Sequence, residues 1–164
     1  MPLTANALPV QPPSVSVPFD AALDLSAGVQ TMTATGLMAA SSPTDIGAGM
    51  MHGLMVLDIS NLKVSATDES YKFALLGSND AAFANGNVEL LAFHDFGVRQ
   101  FSPLLGATPA IPPTGLAGSL IYLPFSNLMQ RIVYRYARGY VAIAGTAPTV
   151  TFRSWIAPKR MVVP

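Results

Sequence analysis

The sequence predicts an all-β fold: a jelly-roll-like β-sandwich or barrel of about eight antiparallel strands, preceded by an extended N-terminal arm. Three observations predict it. Several stretches alternate apolar and polar residues with period two. Clusters of Gly, Asn, Asp, Ser and Pro punctuate the chain at near-regular intervals. The segments between them are rich in Val, Ile, Tyr and Phe, the residues that fit a pleated surface.

The elements follow in order. Residues 1–18 carry five prolines and no charge, a composition that excludes helix and favours an extended polyproline-like form. This stretch is either a disordered tail or an arm laid across a neighbouring subunit. Residues 53–62 are apolar on both parities and then alternate, which fits a strand buried on one face or both. Asp68 to Ser70 reads as a turn, with Asp68 and Glu69 solvated. In residues 71–75, Tyr71, Phe73 and Leu75 point one way, Lys72 and Ala74 the other. Gly77-Ser-Asn-Asp80 is a turn cluster, and Asn85-Gly86 is the strongest short hairpin signal. Residues 87–96 read as the next strand, with Val88, Leu90 and Ala92 on one face.

Four prolines and three glycines make residues 102–118 a long irregular loop. A short strand resumes at Ser119 and ends near Pro124. Residues 126–136 carry apolar spacing that also fits a helix. Over Arg131 to Ala144, aromatic and β-branched enrichment decides instead for one strand, with Ile132, Tyr134 and Tyr136 on one face and Arg131, Val133 and Arg135 on the other. Residues 149–156 form the last strand, and Pro158 ends it. The organisation is thus an arm at 1–18 and a single β-sandwich domain at 19–164.

Composition narrows the function. Only 11% of the residues are charged, against about 25% in an ordinary soluble domain. So uncharged a surface suits burial in an assembly, although a Ser/Thr/Asn/Gly surface is the plainer alternative. Net charge is zero but sorted. All nine acids lie between Asp20 and Asp95, and against Lys63 and Lys72 they leave residues 1–98 at −7. The seven bases from Arg99 onward put the remainder at +7. Either the halves interleave and pair internally, or opposite-sign faces meet neighbouring subunits. Nucleic-acid binding is not expected, since the bases are dispersed and lack flanking aromatics.

Enzymatic chemistry finds little footing. There is no cysteine, no phosphate-cradling loop and no nucleophile elbow. The two histidines, His52 and His94, have no metal-ligand spacing, and adjacent His94 and Asp95 on a strand face opposite ways. No catalytic residue, metal or cofactor is expected. No apolar run reaches the roughly 20 residues of a membrane helix, and no basic-then-apolar leader opens the chain, so neither membrane association nor secretion is expected.

Certain motifs carry a resemblance. They are Asp58-Ile-Ser, the run from Asp68 through Tyr71-Lys-Phe-Ala-Leu-Leu-Gly-Ser-Asn-Asp80 to Ala84, Tyr134-Arg-Tyr-Ala-Arg138, the run Ala144-Gly-Thr-Ala-Pro-Thr-Val150, and Trp155-Ile-Ala-Pro158. Over about residues 20–158 the chain resembles the capsid cement, or head decoration, proteins of tailed bacteriophages, the family typified by the cement protein of a Bordetella phage. The resemblance implies a structural virion protein on the capsid exterior that bridges major capsid subunits, with no enzymatic activity. Its partners would be the major capsid protein and itself, as a homotrimer or alternatively a homodimer. Candidate contact residues are Pro9, Val10, Pro12 and Pro13 in the arm, Leu104 and Leu105 in the loop, and Arg131, Arg135, Arg138 and Trp155 in the later strands. Two other readings compete. A carbohydrate- or receptor-binding module of a tail or fibre would cluster exposed aromatics in one groove. A small β-fold hydrolase would bring carboxylates or histidines together in a cleft.

Overall fold

Tyr71, Phe73 and Leu75 are fully buried and Lys72 between them is exposed, so the period-two pattern translates directly into a strand with one face in the core. Eleven such strands appear in the computed structural model, which describes residues 20–39, 42–63, 68–84, 88–97 and 119–158. They are β1 (Gln30–Met32), β2 (Gly36–Leu37), β3 (Thr44–Asp45), β4 (His52–Leu62), β5 (Ser70–Ser78), β6 (Val88–Gly97), β7 (Ser119–Ser126), β8 (Leu128–Met129), β9 (Ile132–Val133), β10 (Tyr136–Ala144) and β11 (Val150–Pro158). The helical content of the described residues is one short 3-10 turn at Ala21–Leu23, capped by the Asp20 carboxylate on the Ala22 N–H.

Two antiparallel sheets form the sandwich. One has the order β1-β11-β4-β7, the other β2-β10-β5-β6, with β3 also pairing β10 beside β2. Because β2 and β3 pair with different ends of β10, they act as one broken edge strand. Counting them as one leaves eight strands, nested in pairs: first with last, second with second-to-last, and so on inward. That is the strand order of a jelly roll, the predicted fold. The arm, the 102–118 loop and the Asn85-Gly86 turn lie outside the described residues.

The core lies between the sheets. Met55, Leu57 and Ile59 of β4 and Phe152 and Ile156 of β11 face Phe73, Leu75 and Val141 of the other sheet. Phe73 and Phe152 meet edge-to-face across the layers, with ring centroids 5.0 Å apart. Gly139 is buried on β10 because a Cβ there would run into Met38. Gly145 is fixed twice: its φ is +112°, and a Cβ would sit 2.6 Å from the Glu69 backbone.

Three local expectations are corrected. Val88, Leu90 and Ala92 do not share a face. A register shift opposite Leu75 and Leu76 inserts Leu91 as an extra residue, so Leu90 pairs outward-facing Leu76 while Ala92 pairs core-facing Leu75. A one-residue bulge flips the parity of everything beyond it. The strand expected from Ser119 to near Pro124 is β7, which ends at Ser126, and Pro124 is tolerated inside it because β7 is a sheet edge, where a missing N–H costs no ladder bond. Glu69 is not solvated; only Asp68 of that pair is exposed, and Glu69 is fully buried. Finally, residues 131–144 are not one strand. Gln130 and Arg131, at φ 49° and 69°, close a two-residue hairpin between β8 and β9 before β10 begins. Ile132 is exposed and Tyr134 buried as a result.

Candidate functional site

Each sheet has an outer face, and both expose large apolar side chains. On the β2-β10-β5-β6 sheet, Phe93 pairs with Ala74, Ala74 with Tyr140, and Tyr140 with Leu37. Cross-strand partners project to the same side of a sheet, so these four residues form one row across all four strands. Phe93 is 50% exposed, Leu37 42%, and Ala74 is shielded between its larger neighbours. The next row is Leu90, Leu76 and Arg138, with Leu90 46% exposed. Arg138 is the charge within this face, and the others lie at its ends. Lys72 and Asp95 form a 3.9 Å ion pair beyond one end, and Asp45 with Arg135 closes the other. An apolar centre with a charged rim is the anatomy of a protein-binding surface.

The opposite sheet has a second apolar face. Val56 pairs with Trp155 on one side and Tyr122 on the other. Val56, Trp155 and Ala157 form a small buried cluster, whereas Leu120 and Tyr122 on the edge strand β7 are exposed. Trp155 is therefore packed within the chain. The exposed aromatics Phe93 and Tyr122 lie on opposite faces of the sandwich, not in one groove.

The β8–β9 hairpin projects from one end of the sandwich. Its root is held by Asn127, which is fully buried and hydrogen-bonds through every polar group. Its side-chain oxygen accepts from the Met51 N–H at 2.7 Å, and its amide donates to the Gly49 and Tyr134 carbonyls at 2.9 and 3.0 Å. Leu128 and Ile132 on the hairpin are exposed, as is Met50 on the segment that Asn127 ties down. Arg131 is exposed at the hairpin tip.

The other predicted arginines are engaged within the chain. Arg135 forks onto Asp45, with Nη2 2.7 Å from Oδ2 and Nε 3.1 Å from the same oxygen. This contact, with the Gly47 N–H, holds the Asp45 carboxyl below its ordinary value and raises the Arg135 guanidinium. Arg138 lies over the Phe83 ring at 5.9 Å. Arg153 reaches Asp24 at 3.3 Å. Bases of the second half thus pair with acids of the first inside one fold. Candidate residues Pro9, Val10, Pro12, Pro13, Leu104 and Leu105 lie outside the described residues.

One cleft of about 300 Å3 brings two carboxylates together, Asp24 and Asp45, beside Ala27 and Pro43. Both are committed. Asp24 accepts from the Ser26 and Gly28 N–H groups as well as Arg153, and Asp45 from Gly47 and Arg135. The Asp45 carboxylate, held in its ionised form by such donors, is a poor general acid. Among the described residues no three His, Asp or Glu side chains gather as metal ligands.

The sequence reading missed the Phe93–Leu37 face. The one signal for it is the run Leu90-Leu-Ala-Phe93, which is too apolar for a strand with only one buried side. No protein-family model and no curated protein matches this sequence.

Proposed function

We propose that this chain is a structural virion protein that binds the outside of a tailed-phage capsid shell and stabilises it by bridging major capsid subunits, without catalysing a reaction. The observation that carries the reading is the surface: flat sheet faces and a projecting hairpin expose large apolar side chains, while Asp24, Asp45 and Asp95 are each paired with a base of the same chain. Such a surface adheres by removing apolar area from water, at about 25 cal/mol per Å2 before association costs. The jelly-roll strand order and the motif resemblance support the same reading.

The shell-facing region is the hairpin end, with Leu128, Arg131, Ile132 and Met50. Protruding apolar tips suit depressions between subunits, and repetition around a shell multiplies a weak contact. The test is co-sedimentation of the purified chain with expanded, DNA-free shells of the major capsid protein from the same genome. Saturable binding and a higher thermal disruption temperature of the shell support the proposal. Failure to pellet with any shell form overturns it, and Ile132→Asp tests the hairpin specifically.

A further inference from the structure

We infer that the Met50 thioether is a redox-modification site: a hydroperoxide oxidises it to the sulfoxide, which makes the hairpin end of the sandwich polar and weakens its adhesion. The loss of adhesion rests on the proposed shell-facing role of that end. The modification itself does not.

Met50 and Met51 are neighbours in sequence with opposite surroundings. Met51 is partly buried and packs against the core between the sheets. Met50 is 60% exposed. The backbone accounts for the difference. The Gly49 carbonyl, in the peptide group before Met50, accepts from the Asn127 amide at 2.9 Å. The Met51 N–H, in the peptide group after it, donates to the Asn127 side-chain oxygen at 2.7 Å. The Asn127 N–H also donates to the Met51 carbonyl at 3.1 Å. One fully buried side chain thus holds both peptide groups that flank Met50. Turning Met50 inward would break these bonds and leave Asn127 short of partners inside the protein.

The other described methionines are sheltered. Met38 and Met55 are 2% and 0% exposed, and Met32 and Met129 are partly buried against the core. Among the described residues, Met50 is therefore the thioether that solvent reaches most freely.

The chemistry follows from that access. A sulfur lone pair attacks one oxygen of hydrogen peroxide, the O–O bond breaks, and the other oxygen leaves with both protons as water. The sulfide gives up two electrons and the peroxide takes them. An apolar, flexible side chain becomes a polar, chiral one. In the free chain the new oxygen is solvated, so the fold is retained. Against an apolar partner it would lose that water without gaining a donor. Its neighbours at this end, Leu128 and Ile132, carry no side-chain donor, and the Asn127 amide is already spent on backbone carbonyls.

The test treats the full chain with hydrogen peroxide and maps each methionine over time by peptide mass spectrometry. Met50 should take up oxygen at least about tenfold faster than Met38 and Met55, and ahead of Met51, with the circular-dichroism melt unchanged. Co-sedimentation with shells of the major capsid protein then compares untreated and oxidised chain. Oxidation should weaken binding about tenfold, and the two epimer-specific methionine sulfoxide reductases should restore it. Met50→Leu, whatever its own affinity, should bind equally before and after peroxide. Oxidation of Met50 no faster than that of Met38 and Met55 overturns the inference. So does an oxidised chain that binds as tightly as the untreated one, or a Met50→Leu variant that loses binding on oxidation. An untreated chain that pellets with no shell overturns the capsid reading and the regulation built on it, while the mass map still decides the modification.

Discussion

Arg135 grips Asp45 through both Nε and Nη2, across ninety residues of sequence. The acid belongs to the −7 half of the chain and the base to the +7 half, so the contact joins them within one fold. It also locks the broken edge strand, because Asp45 lies in β3 and its neighbour in register is Tyr136.

Acid should weaken the protein through this pair. The folded Asp45 carboxyl is depressed from 3.8, first by the Arg135 hydrogen bond and then by the Gly47 N–H. Asp68 is depressed by the Thr146 N–H and hydroxyl. A depressed carboxylate contributes fully above its unfolded value and loses that contribution as pH falls through the folded value. Stability in urea should therefore fall below pH 3.8. Asp45→Asn should be less stable than wild type at neutral pH, and the difference should close in acid. A difference that persists unchanged below both values would contradict the assignment.

Tyr71 ties three segments. Its hydroxyl donates to the Lys63 carbonyl at 2.5 Å and accepts from the Thr149 N–H at 3.0 Å, joining the segments that follow β4 and precede β11 to β5. Tyr71→Phe leaves both backbone groups short of a partner and should cost about 1–3 kcal/mol in denaturant unfolding. Burial pushes the phenol up from 10.0. A raised value means its contribution is complete below the unfolded value and lost as pH rises through the folded one. The Phe variant should lack that part of the alkaline destabilisation.

The fold was legible where one rule governed a whole segment. Tyr71, Phe73 and Leu75 alternate with Lys72, and no neighbour overrides them. It was not legible at Leu91, where one inserted residue reverses parity, because a bulge carries no residue signature here. Nor was the break before Tyr136 legible, since the β8–β9 turn uses Gln and Arg where Asn and Gly are favoured. The Asn85-Gly86 signal, by contrast, lies outside the described residues. The outer row of Phe93, Ala74, Tyr140 and Leu37 draws on four strands spread over more than a hundred residues. Long-range register assembled that surface, and no local pattern reports it.

The strained hairpin can be relieved. Positive φ at a non-glycine residue costs on the order of 1 kcal/mol, and Gln130 and Arg131 both carry it. Gln130→Asn with Arg131→Gly restores the preferred two-residue turn and should stabilise the domain by about 1 kcal/mol in urea. Arg131→Gly also removes the exposed tip cation. Greater stability with weaker shell binding would show that the strain is retained for contact.

Ser154 is the weak point of the core. Its backbone is well served: the N–H donates to the Ser26 hydroxyl at 2.9 Å, and the carbonyl accepts from Leu25. Its side chain is not, since Oγ is buried with no hydrogen-bond partner among the described residues. Ser154 lies between Phe152 and Ile156 on the inward side of β11, and in register with buried Leu57. An unmet buried hydroxyl costs roughly 1–3 kcal/mol, more than the dispersion lost when one atom is removed. Ser154→Ala should therefore match or exceed wild-type stability, with a gain of up to about 1 kcal/mol in urea. The reciprocal change Ser26→Ala removes the oxygen that accepts the Ser154 N–H and also donates to Gly28. It should destabilise the seam between β11 and the segment before β1 by about 1–3 kcal/mol. Two small serines in contact would then act in opposite directions. Their opposite signs separate a hydroxyl that bonds from one that is merely buried.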